Sequence, residues 1–194
     1  MSTRSENTSQ PPYIPEFLDV LDATGRPIGR IIERKKYSFQ KDPLRPGDWY
    51  RVVLTCVFNT QAEMLIQQRS ASRRIGANRW DFTAGGAVDA GETSQEAASR
   101  ELHEEVGLTH DFAGQAPILT IADQPAFLDV YTADLEGDPS QVRLQAEEVQ
   151  AARWATLADI TAMITAGDFW AYPPSLIELI FTMHAKKDNW TGTN

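Results

Sequence analysis

Three glutamates, Glu101, Glu104 and Glu105, sit close together in the segment TSQEAASRELHEEVGL, residues 93–108. On a helix, positions three and four apart are neighbours, so these carboxylates share an adjacent face. Like charges at that spacing cost roughly 0.2–0.5 kcal/mol per pair. A solvated acidic face is the plain reading of three such residues alone. The chemical reading is a hard divalent cation with oxygen ligands, Mg²⁺ or alternatively Mn²⁺, which offsets the repulsion. Glu96, Arg100 and Glu104 follow at i, i+4 and i+8 with alternating charge, a series that can hold the acids in place.

The flanking residues decide between the two. Gly86, Glu92, Arg100, Glu101, Leu102, Glu104, Glu105, Gly107 and Leu108 match the pattern G-x5-E-x7-R-E-U-x-E-E-x-G-U, with U a bulky aliphatic, at all nine fixed positions. A common residue occurs at roughly 7% per site, so nine chance matches are negligible. The segment therefore resembles the box of the Nudix hydrolases. That resemblance implies an α/β fold, the family's α/β/α sandwich with a mixed sheet flanked by helices. It also implies that Glu101 and Glu105 are metal ligands, with Glu104 a ligand directly or through water. The carbonyl of Gly85 would join them, Arg100 would orient Glu101, and Glu92 would be a supporting acid.

The chemistry that follows is hydrolysis of a diphosphate linkage. A diphosphate resists attack because its negative oxygens repel nucleophiles; bound Mg²⁺ neutralises them and lowers the pKa of water. A glutamate accepts the proton, and in-line displacement separates the phosphoryl groups.

Outside the box, Arg69, Arg73 and Arg74 follow the apolar run ending in IQQR. Alone they read as a basic solvated loop. However, LIQQRSASRRIGANRWDFTAGG and FLDVLDATGRPIGRIIER resemble isopentenyl-diphosphate isomerases and their Nudix relatives. In that branch basic residues in matching places grip the diphosphate, which implies substrate binding by Arg69 and Arg73. The isomerase itself is disfavoured: it needs a cysteine after the tryptophan and a histidine two residues on, and WDFTAGG has neither. Cys56, in VLTCVF, reads as a small core residue. His103, His110 and His184 are scattered without metal-ligand spacing. Glu147 and Glu148 are alternative further acids, ligand or base, with Glu148 the choice. Trp80, Phe82, Phe127 and Tyr131 read as core aromatics before base-stacking ones.

These residues need elements to carry them. Strands are expected at Phe17–Leu21, Pro27–Glu33, Arg51–Phe58, Met64–Gln68, Trp80–Thr83, Pro117–Ile121, Ala126–Ala133 and Arg153–Trp154. Helices are expected at Thr93–Val106, Leu157–Thr165 and Ser175–Lys187, and Lys35–Asp48 reads as a loop. Ala98, Leu102 and Val106 form the apolar stripe of the first helix. Thr93 and Glu96 fit a capping box, and Gly107 fits its end.

The chain has 194 residues, 42% of them hydrophobic, enough for one packed domain. Residues 1–15 read as a flexible lead-in without the apolar core of a secretory signal, 16–188 as the domain, and 189–194 as a tail. A net charge of −9 disfavours nucleic acid as a partner, and no apolar run reaches membrane-span length. One cysteine cannot form an internal disulfide, which suits the cytoplasm. The expected partner is a small phosphorylated substrate such as a nucleoside di- or triphosphate or a nucleoside diphosphate derivative. A homodimer is an open alternative. A non-catalytic nucleotide-binding module is the rival outside the enzymes, but such modules usually lose box carboxylates and this chain keeps them.

Overall fold

A computed structural model describes residues 15–34, 44–73, 75–135 and 142–186. The expected lead-in up to residue 14, most of the 35–48 loop, Arg74, Lys187 and the 189–194 tail lie outside the described residues.

Strands β1 (Glu16–Leu21) and β2 (Pro27–Arg34) form an antiparallel hairpin. Its inward residues Leu18, Val20 and Ile32 are buried with Ala87. The main sheet is built on β3 (Tyr50–Phe58) and β4 (Met64–Arg69). The two touch in ladder register only at Phe58↔Met64. Beyond that point they diverge, and β5 (Trp80–Asp81) and β6 (Ala84–Ala87) fill the gap, β5 on β4 and β6 on β3. The expected single strand Trp80–Thr83 is thus corrected to two short strands. The chain crosses from one half of the sheet to the other at Phe82–Thr83. The Thr83 hydroxyl fastens this crossing: it donates to the Leu65 carbonyl and accepts from the Val57 N–H.

On the far side of β3 lie β8 (Ala126–Asp134), parallel to it, and β7 (Leu119–Asp123), antiparallel to β8. β7 starts and ends two residues later than Pro117–Ile121, because its ladder begins at Leu119↔Val130 and runs to the turn before Ala126. β9 (Val149–Ala155) covers the outer side of β4 and is longer than Arg153–Trp154.

Helix α1 (Ser94–Val106) covers one face and α2 (Leu157–Ala166) with α3 (Pro174–Ala185) the other. β3 makes the division visible. Val53 and Val57 pack with Ala98, Leu102 and Val106 of α1, whereas Cys56 and Phe58 pack with Ile160, Ile177 and Ile180 of α2 and α3. Each fully buried aliphatic contributes about 1.5–3 kcal/mol. The result is the mixed-sheet α/β/α sandwich the motif implied.

Candidate active site

Helix α1 is fixed at both ends and along one side. The Thr93 side chain accepts from the Glu96 N–H while the Glu96 carboxylate accepts from the Thr93 N–H, a reciprocal cap. This overturns the expected Glu96–Arg100–Glu104 series at its first step, since Glu96 faces its own cap. At the other end Gly107 takes φ 69° and its N–H donates to the His103 carbonyl. With Ala98, Leu102 and Val106 buried, the rotation of the helix is set, and Glu101 and Glu105 are turned toward the β4–β6 gap.

Glu105 is only 3% exposed. Its Oε2 accepts from Gln67 Nε2 on β4 at 2.8 Å and from the Gly85 N–H on β6 at 3.0 Å. One carboxylate oxygen thus ties the two halves of the sheet together. Glu101 lies against Gly86 and accepts from Arg100 Nη1 at 2.6 Å. Arg100 also grips Glu92 with Nε and Nη2, both at 2.9 Å, and donates to the Ala87 carbonyl at 3.0 Å. Glu92 is the main reason its guanidinium is held more firmly protonated than usual, against the cost of burial. Glu104 stands apart, with half of its side chain exposed and Arg100 at 3.4 Å.

Glu148 comes from the turn before β9. Arg73 reaches its carboxylate at 2.7 Å, and the Ser70 N–H donates to its carbonyl at 2.7 Å. Glu147 is exposed and contributes only its backbone carbonyl, to Ser72. Arg69 goes elsewhere. It donates to the Ile75 carbonyl at 3.3 Å, stands 3.5 Å from Asp81 and lies 5.1 Å from the Trp170 ring centre.

The electrostatics single out three acids. Burial pushes Glu101 up to about 7; Arg100 opposes the shift, while Glu104 and Glu148 add to it. Burial raises Glu105 well above the carboxylate range, with Glu101 and Glu148 adding to it and the Gly85 and Gln67 donors opposing. Glu101 and Glu105 are therefore two desolvated carboxylates, and the charge of Glu148 reaches both. Among the described residues no three such side chains are already gathered at metal-ligand spacing. The donor set nevertheless fits a hard divalent cation: the Glu101 and Glu105 carboxylates repel each other in a desolvated setting.

Reading the sequence did not single out two residues of this neighbourhood, Gln67 and Asp81. Gln67 had a signal, for in MLIQQR it shares the inward face with Leu65. Asp81 had none, because its Arg69 and Tyr172 partners come from distant segments. Phe82, Phe127 and Tyr131 are buried, and Trp80 is half-buried beneath Arg153. Cys56 is fully buried on the α2–α3 face, where desolvation pushes its thiol far up. A separate cavity of about 410 Å³ opens by the start of α1, lined by Arg51, Asp89, Glu92, Ser94, Thr120 and Asp129 among others.

Residues 48–175 match the NUDIX domain model. An uncharacterised Nudix hydrolase of Listeria monocytogenes is 34% identical over 137 residues, 71% of this chain and 81% of that protein. A Nudix hydrolase of Deinococcus radiodurans is 28% identical over 169 residues, covering 85% of this chain and 92% of its own. A crystal structure from the same organism superposes with a TM-score of 0.65 at 25% identity, over 85% of this chain and 97% of that one. No helix of the described residues is long and apolar enough to cross a membrane.

Proposed function

The chain belongs to the Nudix hydrolase family, and from that premise we propose that it cleaves a diphosphate linkage in a nucleoside di- or triphosphate or a nucleoside diphosphate derivative, using Mg²⁺ or alternatively Mn²⁺. The observation that carries this reading is the placement of the two motif acids: Glu105 is buried between the Gln67 and Gly85 donors, and Glu101 lies against Gly86 with Arg100 holding it.

Glu101, Glu105 and the Gly85 carbonyl are the residues assigned to hold the cation, with Glu104 contributing from its exposed position through water. When bound, the cation neutralises phosphate oxygens and acidifies water. Arg100 favours the ionised form of Glu101 and aims it, and Glu92 keeps Arg100 in place. Glu148 is the assigned general base: it is half-buried and Arg73 sits beside it. Arg73 is assigned to the diphosphate. Arg69, engaged with Ile75, Asp81 and Trp170, is assigned to shaping the loop that presents Arg73. The single buried cysteine suits a reducing compartment, and the cytoplasm is the proposed location.

The isomerase branch has less support. Proton transfer to and from carbon needs an acid and a base on opposite faces of a double bond. Cys56 is buried on the α2–α3 face, away from the α1 carboxylates. The test is one incubation with a mixed nucleotide panel and one with isopentenyl diphosphate, each with Mg²⁺. The expected products are a nucleoside monophosphate with phosphate or pyrophosphate, and no dimethylallyl diphosphate. Isomer in one tube and no cleavage in the other would overturn the proposal. Inertness in both would favour a binding module.

A further inference from the structure

Gln67 lies outside the nine-position motif, on the strand that faces α1. Its side chain is almost entirely buried, at 3% exposure. One end of its amide is used: Nε2 donates to Glu105 Oε2 at 2.8 Å. The other end is not. Oε1 is buried and has no hydrogen-bond partner among the described residues. A buried amide oxygen left without a donor is destabilising. Leu65, two residues earlier on the same face, packs in the aliphatic core against α1. An apolar residue at 67 would avoid the penalty, so the glutamine calls for a use beyond packing.

The donor half has a clear role. Nε2 and the Gly85 N–H both donate to the same oxygen of Glu105. Together they fix the plane of the carboxylate and leave Oε1 of Glu105 free of both. The acceptor half lies on the same amide carbon, so it borders the same carboxylate. A hydrated hard cation held by Glu105 brings water O–H donors, the kind of partner this oxygen lacks.

Resting on the cation-dependent reading above, we propose that Gln67 is a positioning residue of the metal site: Nε2 orients Glu105, and Oε1 accepts from a water in the coordination shell of the bound divalent cation.

The experiment is Mn²⁺ binding by the full chain without substrate, followed by the electron paramagnetic resonance of the free ion. Gln67→Leu and Gln67→Met remove both halves of the amide while keeping its bulk. Each should weaken Mn²⁺ by about 10–100-fold, with the far-ultraviolet circular dichroism unchanged. Gln67→Glu keeps an acceptor oxygen and loses the donor. It should bind Mn²⁺ more tightly than the apolar variants while melting lower than wild type in chelator. It also keeps the proposal testable should neither apolar variant fold. Glu105→Gln runs beside them as the reference. If it loses Mn²⁺ while Gln67→Leu and Gln67→Met bind like wild type, the role of Gln67 falls and the metal site stands. If Glu105→Gln also binds like wild type, the metal assignment itself is wrong. Binding by Gln67→Glu no tighter than by Gln67→Leu would overturn the acceptor role of Oε1.

Discussion

The carboxylate of Glu101 occupies the space that a side chain at Gly86 would need. A Cβ there would stand 2.1 Å from Glu101 Oε1 and 2.3 Å from its Cδ. The glycine is the complement of the carboxylate rather than a source of loop freedom. Gly86→Ala should displace Glu101 from Arg100 and lower kcat by at least about 10-fold, as loss of an orienting contact does. Steady-state kinetics at saturating Mg²⁺ checks this, and unchanged kcat would show that Glu101 need not stay where it lies.

Glu105→Gln should lower turnover by more than about 100-fold, beyond the roughly 10–100-fold typical of an outer-shell residue. At alkaline pH it should also raise the melting temperature in chelator, because there it removes a buried charge that Glu101 and Glu148 oppose. A variant that is both less active and less stable in chelator would mark Glu105 as a packing residue.

Cation binding and folding should be linked. Millimolar Mg²⁺ or Mn²⁺ should raise the melting temperature of wild type, by about 2.7 kcal/mol of added stability at 100 times Kd. Chelator should abolish activity and added metal should restore it. Activity that survives chelator would remove the basis for the mechanism.

Arg69→Ala and Arg73→Ala should separate. Arg69 stands against buried Asp81 and over Trp170, so its loss should lower the melting temperature. Arg73→Ala should instead raise KM more than it lowers kcat, since the diphosphate charge it meets is present before and during reaction. Equal effects of the two variants on KM would restore the paired clamp implied by the sequence.

Asp81 gives a pH signature of its own. Burial pushes it up to about 6, against the lowering effects of Arg69, the Phe82 N–H and Tyr172. Its folded pKa therefore exceeds the unfolded value of 3.8, and the native state binds the extra proton between these limits. Its contribution to stability rises as pH falls through 6 and levels off near 4. Between pH 7.5 and 5.0 wild type should gain about 1 kcal/mol relative to Asp81→Asn in urea unfolding. A constant difference across that range would mean that Asp81 is ionised throughout.

The sequence and the fold agree best where partners are local. The α1 cap, its apolar stripe and its glycine end all lie within residues 93–107, so the helix and its acids were readable from spacing. What was hidden depends on distant segments. Nothing near Trp80 says that β5 will join β4 while β6 joins β3, since that choice follows from the divergence of β3 and β4 after one shared pair. The neighbours of Arg69 in space, Asp81 and Trp170, are 12 and 101 residues away in sequence, so its contacts could not be read there. Glu148 is favoured over Glu147 in the sequence, and the Arg73 beside it comes into view only in the fold.

The threading of residues 80–87 between β3 and β4 also makes the site depend on segments far apart in the chain. The β3–β4 turn closes locally, but the Thr83 fastening spans 18 residues to Leu65 and 26 to Val57, and the Gln67–Glu105 bond spans 38. Contacts of such reach form only after loop entropy has been overcome. The two donors that hold Glu105 therefore come from segments that meet only in the folded sheet. A partly unravelled chain carries the whole motif in its sequence and yet lacks this arrangement, so possessing the motif and possessing the site are separate properties.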